Sequence, residues 1–302
     1  MQLGDGLWRT ADNMEIIFPS IYRSSDLASR FAQICFVRLN IAQLLLIVLT
    51  GFISGITPIE SGHIQCVATV VAILLLIVLA VNYALRIGKF DDRWFQCRAL
   101  AENIKSASWF YMTGMLPNGL DIQASRIDLI DKIDEIKRQF PVDPKHLIKY
   151  NVGNEIITSS MNAIWNLPID QKIDIYRRER LENQINWYTG KARSNLSWET
   201  PWFWSIFVIE FIGVAYSAFQ IWSLFTLNIV GGLSALSAAG IAWIQLKRYS
   251  DLANSYAVAR EDLIRISEAR RGASTQDEFK LMVSEVEAAI SREHSMWKSR
   301  IN

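Results

Sequence analysis

The residue types that carry out catalysis are sparse and scattered in this chain of 302 residues. Its three histidines, His63, His146 and His294, lie far apart without metal-ligand spacing, and no serine or cysteine stands in a recognisable nucleophile motif. The sequence also contains no glycine-rich phosphate-binding loop. We therefore predict that the protein is not an enzyme and that it uses neither a metal nor a cofactor.

One acidic residue, Glu210, stands inside the apolar stretch WFWSIFVIEFIGVAYSAF, residues 202–219. An ionisable group at the centre of a membrane span costs roughly 2.5–3.5 kcal/mol on insertion scales, which makes it a candidate functional residue. Three explanations remain open. Glu210 lines a hydrated path in an oligomer, it is protonated and hydrogen-bonds a neighbouring helix, or it pairs within the monomer with Asn82 or Gln220. The other polar candidates in this span are Tyr216, Ser217 and Gln220.

Two long segments almost lack charged residues, as expected for membrane spans. Residues 40–85 contain only Glu60, and residues 202–246 contain only Glu210. Each segment divides around a short loop, which predicts two helical hairpins with four spans at 41–58, 64–85, 202–223 and 229–246. Small residues that permit close helix packing occur in the first and fourth spans. They are Gly51, Gly55, Gly231, Ala235 and Ala239.

Lysine and arginine flank the predicted spans on one side of the membrane. They precede the first span, follow the second, precede the third and follow the fourth, whereas neither hairpin loop contains any. By the positive-inside rule, both termini and the segment between the hairpins are cytoplasmic. The predicted organisation is all-α: an N-terminal helix region (1–38), a first transmembrane hairpin (39–86), a cytoplasmic helical region (87–201), a second transmembrane hairpin (202–246) and cytoplasmic C-terminal helices (247–302).

The cytoplasmic regions show helical periodicity rather than strand alternation. We predict that one helix breaks and restarts at Thr200–Pro201, and that the last helix starts with the capping box Thr275 to Glu278. A basic group before the third span is a candidate site for an anionic headgroup or a nucleotide, or is simply the basic flank of a span. It consists of Arg177, Arg178, Arg180, Lys191 and Arg193. The net charge of +1 argues against nucleic acid as a partner.

Two cytoplasmic segments resemble the halves of bacterial tandem SLATT proteins, the SMODS and SLOG-associating two-transmembrane effector domains. RWFQCRALAENIKSASWFYMTG at 93–114 is similar to the first half, and YRRERLENQINWYTGKARSN at 176–195 is similar to the second. The matching positions include Arg98, Glu102, Lys105, Trp109, Arg180, Gln184, Trp187, Tyr188, Lys191 and Asn195. The layout of helix, hairpin and helix also occurs twice, which favours a duplication.

The resemblance implies an effector in the bacterial inner membrane that oligomerises and perforates or depolarises it during phage infection or nucleotide signalling. Its expected partners are then the lipid bilayer, further copies of the chain, and a cytoplasmic sensor or nucleotide messenger. The rival interpretation is a membrane-anchored helical scaffold that recruits a cytoplasmic partner without conduction. A pore requires polar residues of the third span to align across subunits, whereas in a scaffold Glu210 is satisfied within one monomer.

Overall fold

A computed structural model describes residues 8–9, 15–55, 61–119, 121–150, 153–221 and 228–299. Helix dominates these ranges, and their strands are a single antiparallel pair, β1 (Trp8–Arg9) with β2 (Glu15–Ile16). The helices are α1 (Ser20–Ser54), α2 (Ser61–Gly88), α3 (Phe90–Thr113), α4 (Ile122–Gln139), α5 (Pro144–Ile148), α6 (Ser159–Trp165), α7 (Ile169–Tyr176), α8 (Asn183–Gln220), α9 (Val230–Lys247), α10 (Tyr249–Ala269) and α11 (Gln276–Ser299). The predicted all-α class is confirmed.

Three helical stretches of the described residues are long and apolar enough to cross a membrane: Ser20–Ser54, Ile64–Thr113 and Ile169–Gln220. Each overlaps one of the predicted spans, which confirms a polytopic membrane protein. The fourth predicted span coincides with α9, which does not meet the same criterion. Three glycines and two serines dilute the apolar side chains of α9. The count of four spans therefore stays a prediction.

The chain divides into two compact units. The polar unit comprises Met1–Gln33, Asp91–Lys191 and Ser255–Asn302, and the apolar unit comprises Ile34–Phe90 and Ala192–Asn254. The predicted region boundaries after residues 38, 86, 201 and 246 all fall inside continuous helices. Hydropathy changes at these points, but the backbone hydrogen bonding of a helix does not depend on that change.

The polar unit has a well-packed hydrophobic core. Its centre contains Trp109 of α3, Tyr176 of α7 and Phe279 of α11, with ring centroids 5.4 Å apart for the first two and 5.9 Å for the last two. The capping box predicted for the last helix is present: the Glu278 amide donates to Thr275 Oγ1 at 3.3 Å, and the Glu278 carboxylate accepts from the Thr275 amide at 3.1 Å.

The predicted helix break at Thr200–Pro201 is wrong, because α8 continues through Pro201 to Gln220. Proline removes one backbone hydrogen bond, the one to the carbonyl of Ser197 four residues earlier, and a long transmembrane helix tolerates this loss. The irregular backbone lies earlier in the chain, where Arg177–Glu182 forms a π-helical segment between α7 and α8.

Candidate functional site

The small residues predicted for helix packing lie where α1 meets α9 in the apolar unit. A β-carbon added to Gly51 would lie 2.8 Å from the β-carbon of Ala235 and 3.1 Å from the Gly231 carbonyl oxygen. The Gly55 carbonyl accepts a hydrogen bond at 3.3 Å from the backbone just before α9. These helices can approach so closely because glycine has no side chain. Ala239 lies further along α9 and is half-buried.

Glu210 lies on α8 in the apolar unit and has one hydrogen-bond partner among the described residues. Ser237 of α9 donates its hydroxyl to Glu210 Oε1 at 2.7 Å. Ser237 is buried, whereas Glu210 is exposed, so the carboxylate reaches the surface of the unit. The structure thus pairs Glu210 with Ser237, and not with Asn82 or Gln220, the partners considered from the sequence.

The other polar candidates of the third span are less exposed than Glu210. Tyr216, Ser217 and Gln220 are half-buried, and Ser217 Oγ donates to a carbonyl of its own helix at 2.8 Å. The exposed residues one and two turns from Glu210 are apolar: Phe203, Phe207 and Val214. In the described structure, the third span therefore presents a single carboxylate framed by apolar side chains rather than a continuous polar stripe.

The polar unit buries an ion pair at one of the motif positions. The side chains of Arg180, on the π-helical segment, and Glu287, on α11, are 1% and 2% exposed. Arg180 Nε donates to Glu287 Oε1 at 2.8 Å and Nη2 donates to Oε2 at 2.6 Å, while the Tyr176 hydroxyl adds a third bond at 3.0 Å. Two parallel bonds to one carboxylate fix the guanidinium orientation. Nη1 of Arg180 has no partner among the described residues.

A second charged group surrounds α3 in the same unit. Arg98 forms ion pairs with Asp26 of α1 at 3.3 Å and with Glu102 at 2.7 Å. Lys105 follows on α3, and burial lowers its pKa to about 8 although the Glu102 charge acts in the opposite direction. Burial, with the charges of Glu102 and Asp26, raises the pKa of the Tyr22 hydroxyl. We call the six charged residues the charged core; they are Asp26, Arg98, Glu102, Lys105, Arg180 and Glu287.

The charged core is electrically balanced, with three carboxylates and three cations. Its arrangement can fix the register of the helices that contribute to it, since a buried charge that loses its partner is strongly destabilising. No group of three or more histidine, cysteine or acidic side chains in the described ranges is placed to hold a metal ion.

The basic group predicted as an anion site does not form one surface. Arg180 is buried against a carboxylate, as described above, and this removes it from the predicted surface site. Arg177 donates to two main-chain carbonyls at the C-terminal end of α10, at 2.7 and 2.8 Å, and Arg178 pairs with the adjacent carboxylate at 3.1 Å. Lys191 and Arg193 are exposed. Helical geometry turns consecutive residues to different faces, so a run of arginines in sequence need not make a patch.

The remaining motif positions are Trp109, Gln184, Trp187, Tyr188 and Asn195. Trp109 is buried, and its Nε1 has no partner among the described residues. Trp187 packs edge-on against the buried Tyr188 at 5.2 Å, and Lys191 Nζ lies 5.6 Å from the Trp187 ring centroid. Gln184 and Asn195 are half-buried. Most of these motif residues therefore support packing.

Two protein-family models match the chain in tandem. Residues 19–173 match SMODS and SLOG-associating 2TM effector domain 3, and residues 176–297 match SMODS and SLOG-associating 2TM effector domain 1. The chain belongs to the SLATT family. SLATT domains are two-transmembrane effector domains associated with conflict and defence systems, and together with the apolar helices they indicate a membrane protein. No curated protein and no solved structure matches the chain.

Both SLATT domains contribute to the charged core. Asp26, Arg98, Glu102 and Lys105 belong to the first domain, and Arg180 and Glu287 belong to the second. Sequence reasoning missed Asp26 and Glu287.

Each missed residue has a signal in the sequence. Glu287 lies four residues after Val283 on the apolar face of α11. The tripeptide Ile-Tyr-Arg at 21–23 recurs at 175–177, and the fourth residue after each tyrosine, Asp26 or Arg180, enters the charged core.

Proposed function

We propose that this SLATT protein is an inner-membrane effector of a prokaryotic anti-phage or nucleotide-signalling system, and that its copies assemble to permeabilise or depolarise the membrane. The observation that carries the proposal is the exposed carboxylate of Glu210, which has one described hydrogen bond and apolar neighbours. An ionised carboxylate facing lipid costs roughly 2.5–3.5 kcal/mol on insertion scales. Assembly removes this cost by placing Glu210 of each copy on a shared hydrated axis.

The surroundings of Glu210 support a narrow path rather than a wide polar channel. In the proposed assembly the Glu210 carboxylates form one hydrophilic constriction, with rings of phenylalanine and valine side chains on either side. Hydrophobic rings on either side close such a path by excluding water, and the carboxylates favour cations when the path is wet. In this proposal both termini are cytoplasmic, so a trigger from a cytoplasmic sensor or nucleotide messenger acts on the polar unit.

A second candidate is a membrane-anchored scaffold without conduction. Two observations favour it: Ser237 bonds Glu210 within one copy, and the described part of the third span has no continuous polar stripe. A protonated glutamic acid with a partner on the next helix serves as structural glue. In the scaffold the Glu210 side chain has no role in transport, and the polar unit recruits a cytoplasmic partner.

Membrane potential and propidium uptake in bacteria distinguish the two candidates. We would compare the wild type with Glu210→Gln and Glu210→Leu at matched membrane levels, in resting and phage-challenged cells. The proposal predicts loss of potential with the wild type, a changed response with Gln and no response with Leu. The control is Ser205→Ala, because Ser205 is exposed on α8 and bonds only its own helix in the described structure. Unchanged permeability in every condition would favour the scaffold.

A further inference from the structure

Two basic residues of the apolar unit adopt the left-handed backbone conformation. Lys89 has φ of 42° and Arg248 has φ of 48°, and among the described residues no other non-glycine residue has a positive φ. The Lys89 amide donates to the Leu85 carbonyl at 3.2 Å, and the Arg248 amide donates to the Ile244 carbonyl at 2.8 Å. Each residue therefore terminates a helix with the same bond, in a conformation that favours glycine.

The two residues occupy equivalent places in the two SLATT domains. Lys89 follows α2 and precedes α3, while Arg248 follows α9 and precedes α10. In both cases an aromatic residue starts the next helix, Phe90 or Tyr249, and aspartate lies in its first turn. We call each of these junctions between two consecutive helices a corner. Both corners therefore place a basic residue in the strained left-handed conformation.

The strain indicates that the side chains are used. Glycine at either corner would relieve the backbone strain, so a basic residue at both is costly unless its charge contributes. The helix dipoles do not require these two extra charges, because the last turns of α2 and α9 already contain Arg86 and Lys247.

Both side chains reach the surface of the unit. Lys89 is exposed, and the Arg248 side chain is 39% exposed although its Nε and Nη2 both donate to Asp251 Oδ2, at 3.0 and 2.8 Å. Both corners directly follow apolar helical segments, and the Lys247 ammonium lies 5.4 Å from the Trp243 ring centroid. Tryptophan and lysine at a helix end mark the depth of lipid headgroups.

We propose that Lys89 and Arg248 each bind the phosphate of an anionic membrane lipid, and that the left-handed corner fixes each side chain at headgroup depth. Guanidinium and ammonium groups are the usual partners of phosphate oxygens. This assignment does not depend on oligomerisation or conduction, because a scaffold in the same membrane would use the same two contacts.

The test measures thermal unfolding of the full chain in nanodiscs of zwitterionic phosphatidylcholine and of phosphatidylcholine with phosphatidylglycerol. We expect phosphatidylglycerol to raise the Tm of the wild type. The double variant Lys89→Gly with Arg248→Gly should lose about 4 °C of that rise, since each basic residue near the membrane surface adds only modestly to the stabilisation by anionic lipid. In phosphatidylcholine alone the double variant should be at least as stable as the wild type, because glycine relieves the strain.

Two further variants make the result specific. Lys89→Asn with Arg248→Asn also removes the charges, but asparagine tolerates the left-handed conformation, so it should reproduce the loss. Lys132→Ala with Lys137→Ala removes two exposed charges from α4 of the polar unit and should keep the full rise.

Four outcomes would overturn the proposal. The glycine variant could keep the full rise, or it could be less stable than the wild type in phosphatidylcholine, which would make the corners purely structural. The alanine control could lose as much as the glycine variant, which would indicate a non-specific charge effect. An equal rise with inorganic phosphate in phosphatidylcholine nanodiscs would assign the sites to free phosphate instead of lipid.

Discussion

The polar unit and the apolar unit place their charged and apolar side chains in opposite ways. The polar unit buries aromatic rings together with the Arg180–Glu287 ion pair, in which neither side chain is more than 2% exposed. The apolar unit exposes large apolar side chains, and its one carboxylate within a span, Glu210, is also exposed. Its buried residues in the described ranges are few: Ala192, Ile206, Gly232, Ser237, Tyr249 and Ala253.

The difference follows from the solvent of each unit. In water, removing apolar surface from contact with solvent stabilises a core at about 25 cal/mol per Å². In lipid the surroundings of a helix are as apolar as its own side chains, so close backbone approach and single hydrogen bonds hold the helices together. Mutations should therefore act by different mechanisms in the two units, and in a definite order of size.

The largest effect is expected for Arg180→Met in the polar unit. It leaves Glu287 buried without its cation, which typically costs about 3–5 kcal/mol in the free energy of unfolding. Thermal unfolding of the purified chain in detergent measures it. The control is Arg271→Met, because the Arg271–Glu268 pair is 77% and 58% exposed and should change stability by at most about 0.5 kcal/mol. Equal effects of the two variants would contradict a buried charged core.

Replacing both partners sharpens this test. The double variant Arg180→Met with Glu287→Leu removes the buried charges together, and an apolar replacement of a buried pair is often neutral or stabilising. We therefore expect most of the stability lost in Arg180→Met to return. If it does not return, the loss comes from packing of the arginine stem and of Tyr176 rather than from an unpaired charge.

A smaller effect is expected where α1 meets α9 in the apolar unit. Gly51→Ala places a methyl group 2.8 Å from the Ala235 β-carbon, so the helices must separate, at about 1–3 kcal/mol. The matched control is Gly213→Ala on α8, where the nearest side-chain atom, on Leu233, lies 3.9 Å away in ordinary contact. The control should be neutral or slightly stabilising. Thermal unfolding in detergent compares the two, and an unaffected Gly51→Ala would show that this helix contact is loose.

The sequence predicts the secondary structure and the small-residue interface well because both depend on local patterns. On α9, Gly231 and Ala235 are four residues apart and share one helix face, and this face packs against Gly51 of α1. The capping box at Thr275 acts within one helical turn. The predicted break at Pro201 failed because proline removes only one bond from a helix of 38 residues. Local propensity predicted an interruption that the long helix tolerates.

The charged core was only partly predictable because its contacts join distant parts of the chain. Arg180 and Glu287 are 107 residues apart, and the positive charge of a run of arginines suggested a surface. Partner choice depends on how α3, α11 and the π-helical segment pack, and no local pattern encodes that. The same limit explains why Ser237 was not identified as the partner of Glu210.

A pH-dependent effect of about 1 kcal/mol is expected from Lys105 in the polar unit. Its pKa is lowered to about 8 when folded, so the unfolded chain binds more protons between pH 8 and the ordinary value of 10.5. Stability from this group therefore rises with pH in that window. Lys105→Met should remove the rise between pH 8 and 9, measured as the Tm difference from wild type. Burial raises the pKa of Cys97 from its ordinary value of 9.0 to about 11, so this thiol acts in the opposite direction as the pH approaches 9 and beyond, in the wild type and the variant alike.

The comparison of the wild type with Lys105→Met isolates Lys105, because Cys97 and Lys172 titrate in both proteins. The control is Lys132→Met, because Lys132 pairs with Glu135 and about half of its side chain is exposed. This variant should keep the wild-type dependence of Tm on pH. If Lys105→Met left the dependence of Tm on pH unchanged, Lys105 would have to be solvated and charged in the folded chain.

The smallest effect is expected for Ser237→Ala in the apolar unit. Hydrogen bonds between membrane helices contribute about 0.6 kcal/mol on average, so losing the bond to Glu210 should lower the Tm only slightly, and less than Gly51→Ala does. A small loss means that Glu210 is weakly held within one copy and remains available to a second copy. A loss above about 2 kcal/mol would instead mean that the Ser237 bond stabilises the monomer, which is what a scaffold requires of an intramembrane acid.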